Sequence, residues 1–209
     1  SEKMTQLGKK SSAIREIFEY SKVRKSQIGD ENVYDFSLGN PSIPTPPAVT
    51  ERMTELITSS DPVALHSYTS AAGDLGTRAA IARHITERFA TKAEPEDIYM
   101  TCGAAASLTI TLKAITQADD EVILLAPFFP EYTVFTQNAG AKPIEVLCRA
   151  DDFQIDVGAV EKAITANTKA IIINSPNNPT GAVFTEENLK KLSAVLNAKS
   201  EEFGRPIFI

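Results

Sequence analysis

Apolar residues along the chain follow two rhythms. In EVILLA (121–126), PIEVLC (143–148) and AIIIN (170–174) they are nearly continuous, whereas between these runs they recur every three or four positions. The first rhythm predicts buried strands and the second amphipathic helices. IYMT (98–101) and PIFI (206–209) are predicted as further strands, and VYDF (33–36) as a short alternating one. SSAIREIFEYSKVRK (11–25) puts Ile14, Ile17 and Phe18 on one helical face, behind Ser11 and Ser12, which are able to cap it. Thr45 and Pro46 open a helix striped by Val49, Met53, Leu56 and Ile57. Another runs from about Asp74 with Leu75, Ala79, Ala82, Ile85 and Phe89 inward. Later helices carry Ala105, Leu108, Leu112 and Ile115, then Tyr132 and Phe135, then Val157, Val160 and Ile164. A longer one follows from Thr185 with Leu189, Leu192 and Leu196.

Apolar strands alternating with helices predict an α/β fold: three layers, a mostly parallel sheet with helices on both faces. PIFI would be a buried strand that feeds no further loop or helix, so the sheet is expected to be truncated before its end. No internal repeat or low-complexity tract interrupts the pattern.

Composition narrows the function classes. With 209 residues, 43% hydrophobic and 23% charged, the chain can bury a sizeable core. A net charge of −6 argues against gripping nucleic acid or an anionic membrane. The small basic cluster Lys22, Arg24 and Lys25 is expected to be a solvated helix face. Cys102 and Cys148 fall in apolar stretches and are expected to be buried thiols in a reduced, cytoplasmic setting. With two histidines and no paired Cys/His spacing, no metal site is expected. The start of the chain, SEKMTQLGKK, has no apolar core of a secretory signal, and no run approaches 18 apolar residues.

In open parallel sheets ligands sit beyond the carboxyl ends of the strands, so the segment after each strand is a candidate for the site. CGAAAS (102–107) comes after IYMT, PFFPEY (127–132) after EVILLA, and SPNNPTG (175–181) after AIIIN. CGAAAS offers either free backbone N–H groups for a phosphate or merely small residues for tight packing. It is neither GxxxxGK[ST] nor GxGxxG. PFFPEY offers one phenylalanine to the core and another that can stack on a flat ring. SPNNPTG is an ordinary turn composition, but its asparagine amides both donate and accept and its prolines hold them stiffly.

Taken together and in order, these stretches resemble the pyridoxal-phosphate aminotransferases of fold type I, the aspartate aminotransferase superfamily. AIIINSPNNPTG resembles the family signature, SLGNPSIPTPPAV (37–49) its N-terminal substrate loop, and HSYTSAAGDLGTRAAIARHI (66–85) a further segment. TCGAAASLTITLKAI and EVILLAPFFPEY resemble its phosphate loop and ring-stacking loop. The resemblance implies pyridoxal 5'-phosphate as cofactor and transfer of an amino group from an L-amino acid to a 2-oxo acid. It implies that Asn178 donates to the cofactor's phenolic oxygen and that Ala104, Ala105 and Ala106 offer backbone N–H groups to its phosphate. The family often has a longer polar side chain there, so fewer side-chain bonds are expected. Phe129 falls where the family stacks an aromatic on the ring. Tyr68 resembles the tyrosine reaching the phosphate of a neighbouring subunit, which implies a homodimer. Gly39 resembles the glycine whose backbone lies against the substrate carboxylate. Arg78 fits its segment but is as readily structural. The uncharged loop SIPTPPAV (42–49) is expected to line the side-chain pocket. Residues 1–45 would form the arm and substrate loop, and 46–209 the first part of the cofactor domain.

The family's Schiff-base lysine has no counterpart here. Lys190 and Lys191 come after the motif but lie on a helix expected to face solvent. The aspartate for the ring nitrogen and the arginine for the substrate carboxylate are also missing. The chain alone is therefore expected to be inactive. A carbon–sulfur lyase of the same fold remains an alternative, and a regulatory domain sensing the same cofactor a weaker one.

Overall fold

The structure, a computed structural model, describes residues 2–9, 13–39 and 43–209. The chain divides into two compact units, Ser1–Tyr68 and Thr69–Ile209.

The first unit holds α1 (Glu2–Lys9), α2 (Ala13–Ile28), α3 (Pro47–Ser59) and the single turn α4 (Pro62–Leu65). Asp61 caps α4 by accepting the Val63 and Ala64 N–H groups. The expected caps Ser11 and Ser12 lie outside the described residues, as do Asn40, Pro41 and Ser42 of the substrate loop. Thr45 does not cap α3, where Pro46 occupies the N-cap position without a side-chain bond. The stripes expected to turn inward, Ile14 and Ile17 on α2 and Val49, Met53 and Ile57 on α3, are exposed. An amphipathic stripe is buried only where a surface covers it, and no described apolar side chain of this unit is buried. Lys22 pairs with Glu19 on the exposed face of α2. VYDF forms no strand, although Val33 has extended backbone angles, because no described segment pairs with it. Within it Asp35 accepts the N–H and hydroxyl of Ser37, and these bonds are the chief cause that brings its carboxyl down to about 2.

The second unit contains α5 (Leu75–Phe89), α6 (Ala104–Ile115), β1 (Glu121–Ala126), α7 (Glu131–Ala139), β2 (Lys142–Leu147), α8 (Val157–Ala163), β3 (Thr168–Ile172) and α9 (Glu186–Phe203). The three strands form a parallel sheet in the order β2-β1-β3. Val122, Ile123, Leu124 and Leu125 are all but sealed from solvent because β1 is central and covered on both faces. Val122 and Leu124 meet Leu112 of α6 and Ala139 of α7, whereas Ile123 and Leu125 meet Val160 of α8 and Leu192 and Leu196 of α9. The predicted three-layer α/β arrangement is thus present.

PIFI contributes one bridge, Phe208 to Ala170, on the outer edge of β3. IYMT is not a strand: Ile98 is extended, but its N–H bonds the Pro95 carbonyl and the Met100 N–H bonds the Ala72 carbonyl, and neither partner lies in a strand. Helix ends reflect local chemistry. Asp74, Asp156 and Thr185 each accept an N–H from the first turn of α5, α8 and α9. On α5 the inward residues are Ala79, Ala82 and Ile85, while Leu75 and Phe89 at its two ends are exposed.

At the entry end of the sheet, Arg205 donates to the Asp120 carboxylate and the Thr168 carbonyl, tying the starts of β1 and β3 together. The exit end carries the loops. Cys102 is exposed and Cys148 half-buried, which corrects the expectation of two buried thiols. Cys102 stands at the exposed mouth of a helix start, and apolar neighbours in sequence do not cover it. Burial pushes the Cys148 thiol up. No helix among the described residues is long and apolar enough to cross a membrane.

Candidate active site

Leu124 pairs with Ile172, and two residues further along each strand the chain reaches Ala126 and Asn174, where two loops begin side by side. The third loop arrives by α6. That helix ends at Ile115, five residues before β1, and packs along the sheet through Leu112. Its roughly 18 Å matches the roughly 20 Å of β1, so an antiparallel helix brings its N-terminus back to where β1 and β3 finish.

The loop after β3 is braced by its own side chains. The Asn174 side-chain oxygen accepts the Asn178 N–H at 2.7 Å. Asn177, buried, accepts both the N–H and the hydroxyl of Thr180. Its backbone closes the turn through Asn177 N–H to the Ala182 carbonyl and Gly181 N–H to the Asn177 carbonyl. Gly181 has φ +73, a conformation that favours glycine. The Ser175–Pro176 and Asn178–Pro179 bonds are both cis. With its N–H held by Asn174, Asn178 stands exposed, and its side-chain amide has no hydrogen-bond partner among the described residues. Sequence reasoning does not single out Asn174 or Asn177. The three asparagines of NSPNN (174–178) are the available signal, but nothing in them says which amide braces and which is spare.

After β1, Phe128 joins the core beside Leu112 and Leu124. Phe129 is half-buried and meets Tyr132 edge to face at 5.7 Å between ring centres. Tyr132 in turn lies nearly parallel to Phe128. Burial raises the Tyr132 phenol. One phenylalanine in the core and one at the loop surface is the division expected from sequence.

At the start of α6, Gly103 has φ 89 and a Cβ built there would meet open space. The N–H groups of Ala104, Ala105 and Ala106 have no partner among the described residues, the first helical bond from this end being Ser107 N–H to the Gly103 carbonyl. Thr101 and Ser107 share a hydroxyl–hydroxyl bond of 2.6 Å that closes the loop beneath them. These donors stand at the positive end of the helix dipole.

Gly39 and Tyr68 belong to the first unit, and both are exposed there. Arg78 spends its donors on the carbonyls of Gly73 and Pro95, a structural use. Lys190 and Lys191 pair with Glu186 and Glu187 on the exposed face of α9. No lysine occurs in any of the three loops. Among the described residues no cluster of His, Cys, Asp or Glu could hold a metal ion.

The donor set is thus three backbone N–H groups, one aromatic face and one free amide. It fits a ligand with a phosphate, a flat ring and an oxygen acceptor on that ring. Residues 31–201 match the profile of the family described as aminotransferase class I and II. The chain is 33% identical over 174 residues to a probable aspartate/prephenate aminotransferase of Aquifex aeolicus, covering 83% of this chain and 43% of that one. It is 32% identical over 181 residues to a probable N-acetyl-LL-diaminopimelate aminotransferase of Bacillus subtilis, covering 86% and 43%. A solved amino transferase from Eubacterium rectale superposes with a TM-score of 0.97 at 55% identity, covering all of this chain and 53% of that one. The chain therefore spans about half the length of the relatives it matches.

Proposed function

The chain belongs to the class I and II aminotransferases, and on that premise we propose that it supplies the cofactor-holding loops of an enzyme moving an amino group from an L-amino acid to a 2-oxo acid. The observation that carries the reading is the arrival of three free N–H groups, a half-buried ring and a free amide at one end of one sheet. Pyridoxal phosphate, bound there, supplies an electron sink that lets the Cα–H of an amino acid ionise.

In this reading the N–H groups of Ala104, Ala105 and Ala106 hold the phosphate without side-chain help. Phe129 covers one face of the ring. Asn178 donates its spare amide to the ring oxygen and favours its ionised form. Gly39 lies against the substrate carboxylate. Tyr68, fully exposed, reaches the phosphate of a second copy in a cytoplasmic homodimer. Residues 1–45 serve as arm and substrate loop, and 46–209 as the first part of the cofactor domain. Turnover needs a Schiff-base lysine, a partner for the ring nitrogen and a carboxylate-binding arginine from residues beyond these 209, so this chain alone is inactive.

The test is the intact mass of the purified protein after borohydride reduction with pyridoxal phosphate, followed by a turnover assay. A mass well above 22.6 kDa carrying one covalent pyridoxyl group, with turnover that requires a 2-oxo acid, is expected. A longer chain that takes up no adduct would sink the enzyme reading. Pyruvate and ammonia released without an acceptor would replace the transferase with a lyase.

A further inference from the structure

Gln154 is a buried amide used at both ends, far in sequence from the loops described above. Its Nε2 donates to the Val183 carbonyl at 2.9 Å and its Oε1 accepts the Thr185 N–H at 3.0 Å. Those two backbone groups flank Phe184, on the strap by which the chain leaves SPNNPTG and enters α9. Asn188, in the first turn of α9, answers in the other direction. Its Oδ1 accepts the Ile155 N–H at 3.0 Å and its Nδ2 donates to the Ile155 carbonyl at 2.9 Å. Four amide bonds therefore stitch residues 154–155 to 183–188, and no backbone–backbone bond joins these segments among the described residues.

From the strap the bracing passes into the loop. Phe184 is buried in the core and its N–H donates to the Ser175 hydroxyl at 3.0 Å. Ala182, two residues earlier, receives the Asn177 N–H. A side chain that fixes residues 183–185 thus fixes the exit of the loop whose entrance is fixed by β3. Helix α9 has its own anchorage in Leu192 and Leu196, so Gln154 is not needed to hold the helix.

We propose that Gln154, supported by Asn188, is a positioning residue for Asn178: it holds the strap in the one place that leaves the Asn178 amide free at the sheet edge. The bracing stands on geometry alone, and its consequence for the cofactor rests on the proposed function.

The experiment uses the full-length protein and compares Gln154→Met, which keeps the volume and removes both bonds, with Val160→Ala, a change in the same core that touches no bond to the strap. Hydrogen exchange of amides 175–185 is measured without cofactor. The affinity for pyridoxal phosphate, and the pH at which its bound visible band changes, are measured in each protein. Gln154→Met is expected to speed exchange at Gly181, Phe184 and Thr185 about tenfold beyond the control. It is also expected to move the band midpoint, and to move it no further in an Asn178→Ala background. Equal exchange in the two variants overturns the bracing, and faster exchange with an unmoved band overturns the link to Asn178. If Gln154→Met does not fold, Gln154→Glu, which keeps the acceptor for Thr185 and loses the donor to Val183, is read at Gly181 and Phe184 instead. A wild-type protein with no visible band defeats the cofactor reading instead, and the exchange comparison then decides the bracing by itself.

Discussion

The turn before α6 and the loop after β3 both present hydrogen-bond donors at the exit end of the sheet, but they are built from opposite materials. In residues 103–106 the donors are backbone N–H groups and no side chain exceeds a methyl, while the Thr101 and Ser107 hydroxyls support the turn from beneath at the Gly103 carbonyl. What matters there is the path of the chain, set by Gly103 at φ 89 and ψ 173. In residues 174–182 the donor is a side chain, and other side chains hold it up: Asn174 under Asn178, Asn177 around Thr180. The first loop should tolerate changes of side chain and resist changes of backbone. The second should do the reverse, and should further separate residues that bind from residues that brace.

Asn178→Ala puts that separation to its hardest test. In the proposed role Asn178 donates to an ionised oxygen, and losing such a bond costs about 1.5–3 kcal/mol, so cofactor affinity or turnover should fall roughly 10- to 150-fold while the unfolding free energy stays put. A variant that unfolds instead would make Asn178 a brace. Next in size is Gly103→Ala. A side chain at that backbone conformation costs about 1–3 kcal/mol although the space is open, and denaturant unfolding together with phosphate binding should both register it. Asn177→Ala leaves the Thr180 N–H and hydroxyl without their acceptor in a partly buried place, a loss of about 1–2 kcal/mol read by denaturant unfolding. Were it neutral, the loop would owe its shape to its prolines. Smallest is Ala105→Ser, expected to change stability by less than about 0.5 kcal/mol and to leave the backbone donors where they are. A large gain in phosphate affinity from that hydroxyl would erase the contrast between the loops.

The sheet was legible where both of its rhythms were strong. EVILLA is apolar at every inner position because helices cover both faces, and that pattern is visible without a structure. IYMT and VYDF have similar local composition and still form no strand, because a strand is completed by its neighbour and four residues do not encode which segment lies beside them. The helical stripes of α2 and α3 have the right period, yet period says nothing about what covers a stripe. Most of their residues are exposed, and Phe18 and Leu56 are only half-buried. In the candidate site, the loops could be found by position after each strand, and the division of labour between Phe128 and Phe129 could be anticipated from chemistry. The roles of Asn174 and Gln154 could not. Asn174 acts on a residue four positions on, but only the folded turn shows which of the asparagines braces; Gln154 acts on partners that only the folded chain brings near, one of them 29 residues away.

Parallel strands stand about 4.8 Å apart whatever side chains they carry. Because β1 and β3 are neighbours, the points where their two loops leave the sheet, Ala126 and Asn174, are held at a separation fixed by main-chain hydrogen bonds. Sequence drift in a lineage can exchange one loop side chain for another, and the spacing of the two loop starts stays the same. The loss of a rung between β1 and β3 would move both loop starts at once, whereas the loss of a side-chain brace such as Gln154 would move one loop against a fixed start.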